Sequence, residues 1–188
     1  VTSSSRIARV PSTISQIRNS IMGTLSNQVV IQKLTARFAD KISVPTEPFG
    51  LLTLETNTET ITEVLRFLKE DKELQFNYLT DITGIHYPEQ ELAIGVIYHL
   101  HSLTHNVRIR IKVFLSAANP SIPTATTLWQ GANWMERETF DFYGVQFEGH
   151  PDLRRILNVD DMTVFPMRKE YPLEDPNRVD KKDLFFGR

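Results

Sequence analysis

Three histidines, His99, His101 and His105, form the most metal-like spacing in this 188-residue chain. On an extended strand His99 and His101 point to one face, with His105 close by at the following turn, so their imidazoles could gather around a zinc ion. A zinc site usually also draws on second-shell partners and on a carboxylate or thiolate, and none stands at ligand spacing here. Solvent-facing strand histidines explain the same letters. The second candidate is the carboxylate group Glu136, Glu138 and Asp141 on one helical segment, because paired carboxylates can act as general acid and base. At roughly 100° per residue, Glu136 and Glu138 diverge by about 200°, while Arg137 and Asp141 stand four apart and can pair along the helix. That geometry fits ion pairing better than catalysis.

Composition removes most other chemistry. The chain has no cysteine, so it cannot form a disulfide, a thiolate zinc site or a cysteine-ligated iron-sulfur cluster. Its eight glycines are not arranged as a phosphate-cradling loop, and no serine or threonine stands in a nucleophile setting. A formal charge of -2 gives no general attraction to nucleic acid. With 40% hydrophobic and 23% charged residues, the chain has the balance of a folded protein. Residues 92–107 are uncharged but too short for the roughly 20 apolar residues of a membrane helix. Residues 113–135 are interrupted by Asn119, Pro120 and Pro123. Residues 1–10 lack the continuous apolar block of a secretory signal.

The elements that must position these residues follow from periodicity. Thr13 and Gln16 can form a capping box, after which Ile14, Ile17, Ile21, Met22 and Leu25 recur at helical spacing. Val30, Ile31, Leu34 and Phe38 predict a second helix, stopped by Pro45 and Pro48. Residues 51–54 read as a short buried strand. Asn57 or Thr58 caps a third helix that buries Ile61, Val64, Leu65 and Leu68. Three strands follow, at residues 76–85, 92–100 and 107–115. In the last, Val107, Ile109, Ile111 and Val113 alternate with Arg108, Arg110 and Lys112, giving one buried and one cationic face. A helix over residues 128–143 ends at Gly144. The pattern predicts an α+β fold, a mostly antiparallel sheet with helices on one face, an N-terminal helix and an extended C-terminal tail. The divisions are residues 1–43, a core at 44–150 and a tail at 151–188.

From Trp134 onward the chain carries nearly half of its charged residues, together with Pro151, Pro166, Pro172 and Pro176. Such a segment has too little apolar surface to form its own core. Phe165, Tyr171, Phe185 and Phe186 recur along it, as anchors would on a strap laid over another protein. A solvated tail is the plainer reading of the same composition.

The run Glu136-Arg137-Glu138-Thr139-Phe140-Asp141-Phe142-Tyr143-Gly144, continued by His150-Pro151-Asp152-Leu153-Arg154-Arg155-Ile156, closely resembles the signature of the 30-kDa (C-type) subunit family of respiratory complex I. Trp129 to Trp134 and Phe165-Pro166-Met167-Arg168-Lys169-Glu170-Tyr171-Pro172-Leu173 are similar to further stretches of that family. Val164 and Phe165 replace a common Gly-His before the proline, and Glu174-Asp175 follow where a glycine often stands.

The resemblance implies a subunit of the peripheral arm of NADH:quinone oxidoreductase with no catalytic, cofactor-binding or metal-binding residue of its own. FMN, iron-sulfur clusters and quinone are then expected in other subunits of a hetero-oligomer on the cytoplasmic face of the bacterial inner membrane. The principal partner is expected to be the large 49-kDa-type quinone-site subunit, with iron-sulfur subunits as neighbours. Trp134, Glu136, Arg137, Glu138, Asp141, Gly144, His150, Arg154, Arg155, Arg168, Tyr171 and Pro172 are the signature residues expected to form partner contacts or structural ion pairs. Arg154, Arg155 and Arg168 are expected to pair with carboxylates, within the chain through Glu136, Glu138 or Asp141 and also on the partner. Two alternatives stand beside this reading: the equivalent subunit of a ferredoxin- or hydrogen-linked membrane complex, and a free-standing hydrolase using Glu136 or Asp141.

Overall fold

A computed structural model describes residues 25–171. The capping-box helix expected from Thr13, and the anchors Phe185 and Phe186 with Pro172, lie outside these residues. Helix α1 (Asn27–Phe38) starts at Ser26, whose hydroxyl accepts the Val29 N–H at 3.4 Å, and it buries Val30, Leu34 and Phe38 at successive turns. A short 3-10 turn (Ala39–Lys41) leads into a segment that bridges the outer edge of strand β1 (Leu52–Thr56), pairing Ile42 with Thr56 and Thr46 with Thr53. Helix α2 (Ile61–Glu70) buries Ile61, Val64, Leu65 and Leu68. The N-cap position is Thr60, without a side-chain cap bond, in place of the expected Asn57 or Thr58; Asn57 instead accepts the Thr60 N–H at 2.9 Å in the turn ahead of the helix.

Strands β2 (Tyr78–His86), β3 (Ile94–Ser102) and β4 (Val107–Leu115) form an antiparallel meander, and β1 joins it parallel to β4. The four-stranded order is β1-β4-β3-β2, a mixed sheet with one parallel pair. Register decides the faces. Ile82, Tyr98 and Ile111 stand opposite one another, as do Gly84, Val96 and Val113, and all are buried on the helix side. The other side carries rungs such as Asp81, His99 and Arg110. The cationic face predicted from β4 is therefore the side away from the helices.

Helix α3 (Ala132–Tyr143) packs along β2. The Thr139 hydroxyl, which donates to the Met135 carbonyl of its own helix at 2.9 Å, lies 3.4 Å from the Ile82 carbonyl, and a Cβ on Gly84 would overlap the Tyr143 ring, so glycine permits the close approach. The helix begins at Ala132 rather than near Leu128. Ahead of it, Trp129 folds into a turn that donates to the Ala125 carbonyl at 2.9 Å, and its indole N–H reaches the Asn77 carbonyl at 3.1 Å. Residues 116–126, read from sequence as an irregular linker, contain strand β5 (Ser121–Pro123), which pairs parallel with β6 (Gln146–Glu148) through buried Ile122 and Phe147. This small second sheet ties both ends of α3 to one place.

Candidate functional site

The last turn of α3 is where the signature residues converge. A helix leaves its final four carbonyls without partners inside the helix. Here Phe140 O accepts the Gly144 N–H at 2.8 Å, Asp141 O accepts Arg155 Nη1 at 2.9 Å, Phe142 O accepts the Met167 N–H at 3.2 Å, and Tyr143 O accepts Arg168 Nε at 2.8 Å. Three of the four partners come from the tail. Both arginines also sit at the negative end of the helix dipole, where cations are favoured.

Gly144 makes the reversal feasible. Its φ of 77° is a left-handed conformation open to glycine, and any Cβ there would overlap the Phe165 ring. Phe165 is held between two guanidinium groups, with Arg155 at 5.2 Å and Arg168 at 5.0 Å from its centroid, and it meets the Phe140 ring edge-on at 6.1 Å. Farther along, the Lys169 N–H donates to His86 Nδ1 at 2.9 Å, which fastens the tail to the end of β2.

Asp141 is fully buried and its two oxygens accept five hydrogen bonds. Oδ1 takes Arg155 Nη1 at 2.7 Å and Asn158 Nδ2 at 3.0 Å. Oδ2 takes the backbone N–H groups of Ile156, Leu157 and Asn158 at 3.1, 2.8 and 2.9 Å. Burial by itself would raise the pKa of this carboxyl. The Asn158 and Leu157 N–H groups and the Arg155 guanidinium outweigh burial and hold it well below the ordinary carboxylate range. Arg155 then uses Nη2 on the carbonyls of Met162 at 2.7 Å and Val164 at 3.0 Å, so one ion pair organises residues 155–164.

Glu136 has the opposite environment. It is also fully buried, but its oxygens meet the Thr124 hydroxyl and the Ala125 N–H, each at 2.6 Å, with no cation among the described residues. Burial raises its pKa from 4.5 to about 7, and the two hydrogen bonds only partly oppose this. Nearby, Tyr98 is fully buried, and burial together with the Glu136 charge pushes its hydroxyl pKa well up.

The pairing expected from sequence is thus corrected at several places. Arg137 does not pair with Asp141. It donates instead to the carbonyls of Arg154 at 3.1 Å and Arg155 at 2.8 Å, because Asp141 is saturated by partners distant in sequence. Glu136 pairs with no arginine among the described residues, and Arg154 pairs with Asp152 at the surface at 2.8 Å rather than with a helix carboxylate. Arg168 binds a backbone carbonyl, with Glu170 marginal at 4.0 Å. Glu138 is exposed and forms no ion pair with any described residue. His150 accepts the Asp152 N–H at Nδ1 and therefore donates through Nε2 to the Asn133 carbonyl at 3.1 Å, pinning the start of the tail. Trp134 stands 60% exposed beside a cleft lined by Gln130, Asn133 and Pro151, and Tyr171 is exposed.

Sequence reasoning missed Thr124, Asn158 and His86, whose roles rest on contacts with no local signature. The histidine candidates do not converge: His99 Nε2 accepts Arg110 Nε at 3.1 Å, whereas His101 faces Asn106 at 3.3 Å. Among the described residues no group of three or more His, Asp or Glu side chains is placed to hold a metal ion. Nor do Glu136 and Asp141 form an acid-base pair open to a substrate, since both are buried with their oxygens engaged. The arrangement can fix a tail.

Two outcomes follow from these carboxyls. Asp141→Asn leaves Arg155 buried without a counter-charge and should cost about 3–5 kcal/mol in urea unfolding at neutral pH. Because the folded pKa of Asp141 is depressed, the stability it supplies is present at neutral pH and is lost as pH falls below about 4. Glu136 has a raised folded pKa, so its contribution is full below 4.5 and is lost as pH rises through about 7. Glu136→Gln should therefore flatten the decline in stability over that window, as read by thermal melts at stepped pH.

Comparison with known proteins agrees with the signature run. Residues 54–177 match the family described as respiratory-chain NADH dehydrogenase, 30 Kd subunit. The C-type subunit of NADH-quinone oxidoreductase from Citrifermentans bemidjiense is 43% identical over 152 residues, covering 81% of this chain and 93% of the relative. Its counterpart from Geobacter sulfurreducens is 44% identical over 154 residues, with coverage of 81% and 93%. Among solved structures, a trypsin-resistant fragment of Nqo5 aligns with a TM-score of 0.58 at 30% identity, covering 67% of this chain and 98% of that one. A chain of the membrane-bound sulfane sulfur reductase, an archaeal respiratory membrane complex, shares the fold at a TM-score of 0.66 and 20% identity, covering 83% and 96%. The chain, with its saturated aspartate and doubled-back tail, belongs to the 30-kDa subunit family of respiratory-chain NADH dehydrogenase.

Proposed function

We propose that this chain is a cofactor-free scaffold subunit of the peripheral arm of NADH:quinone oxidoreductase, and that its tail grips the subunit forming the quinone site. Electrons from NADH pass through FMN and iron-sulfur clusters in other subunits to quinone, coupled to proton translocation. This chain fixes the geometry of that path. The observation that carries the reading is the polarity of the docked tail. Arg155, Arg168 and the backbone N–H groups of residues 156–158 turn inward onto α3, while Leu157, Val159 and Met167 stand 65%, 63% and 49% exposed alongside the exposed charges of Asp152, Arg154, Asp160 and Asp161. Apolar side chains held out on a rigid base, with charges between them along the chain, are what a surface meant to be covered presents.

Rigidity matters for such a role. A misplacement of about 1 Å near a reacting centre can cost on the order of a hundredfold in rate. Five hydrogen bonds to Asp141 hold the tail's first half at one place before any partner arrives, which lowers the entropy lost on association. No helix among the described residues is long and apolar enough to cross a membrane. Attachment through partners, on the cytoplasmic side of the inner membrane, fits that feature.

The alternative reading is the equivalent subunit of a ferredoxin- or hydrogen-linked membrane complex, in which other subunits would choose the donor. Size-exclusion chromatography of detergent-solubilised membranes, probed for this chain, should show co-elution with a very large assembly that contains flavin and oxidises NADH. Elution as a free monomer would overturn the scaffold role. A large assembly without NADH oxidation would assign the chain to a related machine.

A further inference from the structure

The least economical feature of the surface lies far from the tail, at the turn between α1 and β1. Phe49 is fully exposed, and its φ of 55° and ψ of 30° place an aromatic residue in the left-handed region. Bulky residues rarely adopt that conformation, and it persists where surrounding structure enforces it. The enforcement is visible. Pro48 limits the preceding φ, and Gly50 follows at φ 76°. Gly50 N donates to Glu47 O and Leu51 N to Pro48 O, both at 3.2 Å. Thr46 and Thr53 exchange backbone hydrogen bonds at 3.0 and 2.7 Å, and Asn27 Nδ2 holds the Glu47 carboxylate at 3.1 Å. The turn is built to hold a large ring out in solvent.

Its surroundings describe what the ring would meet. Val44, on the same edge segment, is 83% exposed. Beside the turn lies a cleft of about 510 Å³ lined by Asn27, Gly50, Leu51, Asn106, Val107 and Arg108. Arg108 is exposed, forms no ion pair with any described residue, and no carboxylate lines that cleft. The surface thus offers one unanswered guanidinium in the cleft beside the turn that carries the exposed aromatic, two residue types enriched at interface hot spots.

We infer that the turn at residues 46–50 is a docking knob, in which Phe49 enters an apolar socket on a neighbouring protein subunit and Arg108 takes a carboxylate at the socket's rim. This contact is separate from the tail, on the edge of β1 rather than on α3. It rests on the scaffold reading and adds a second grip to it. Two separated contacts fix orientation as well as position, which one strap cannot do.

The test uses the full chain in its native membranes. A photo-crosslinking amino acid placed at position 49 should yield an adduct with a different subunit. Phe49→Gly should leave the thermal midpoint of the isolated chain unchanged or higher, since glycine accepts this φ freely. Retention of the variant in the solubilised complex should nevertheless fall about tenfold or more, and Arg108→Glu should weaken retention in the same assay. Adducts only within the chain or with a second copy of it would overturn the inference. So would full retention of Phe49→Gly in a complex that also retains the unmodified chain. If the unmodified chain is itself absent from any large complex, the scaffold reading fails, and this inference with it.

Discussion

A buried helix end must find partners for its last carbonyls, and in this protein the tail supplies most of them. Arg155, Met167 and Arg168 satisfy the carbonyls of Asp141, Phe142 and Tyr143. The same turn carries the Asp141 carboxylate, which binds Arg155 and three consecutive backbone N–H groups. Hydrogen bonds to a buried charge contribute roughly 1.5–3 kcal/mol each, more than neutral ones. Their loss is coupled, because freeing Arg155 also releases the Met162 and Val164 carbonyls. The segment behaves as one unit anchored on one side chain.

The rest of the fold sets that helix end in place. Gly84 lets Tyr143 lie against β2, and buried Thr139 packs the middle of α3 against the same strand. At the other end Glu136 is bound to residues 124 and 125, just after β5. Strand β6 follows α3 directly and pairs with β5, so the helix is closed into a loop whose ends meet. The two buried carboxyls of α3 are tuned in opposite directions by their neighbours. One gathers donors and a cation and stays ionised, and the other has a hydroxyl and one N–H, so burial dominates.

Local signals were legible where local physics decides. The alternation in β4 gave its span, Asn57 gave the turn ahead of α2, and Gly144 gave the end of α3. Strands β2 and β3 lie within two residues of their expected starts and ends. The start of α3 was misplaced because residues 125–129 have helical letters but are held in a turn by Trp129 and Asn77. Strands β5 and β6 were not anticipated, since three-residue parallel strands carry no periodicity of their own. At the site, the four-residue spacing of Arg137 and Asp141 suggested a helix pair worth a few tenths of a kcal/mol. The observed pair with Arg155 is buried and multiply bonded, and that long-range choice cannot be read from spacing. The convergence of Asp141, Arg155 and Arg168 on the end of α3 was visible only through the family resemblance.

Anchoring a tail on its own domain while turning apolar side chains outward gives a partner a preformed surface in place of a loose strand. That account depends on the Asp141 carboxylate holding residues 156–158 in the isolated chain. Hydrogen exchange resolved to single amides tests it most directly. The N–H groups of Ile156, Leu157 and Asn158 should exchange slowly and together in the free protein, and all three should lose protection in Asp141→Asn. Exchange of these amides at the rate of an unstructured peptide in the unaltered chain would contradict it.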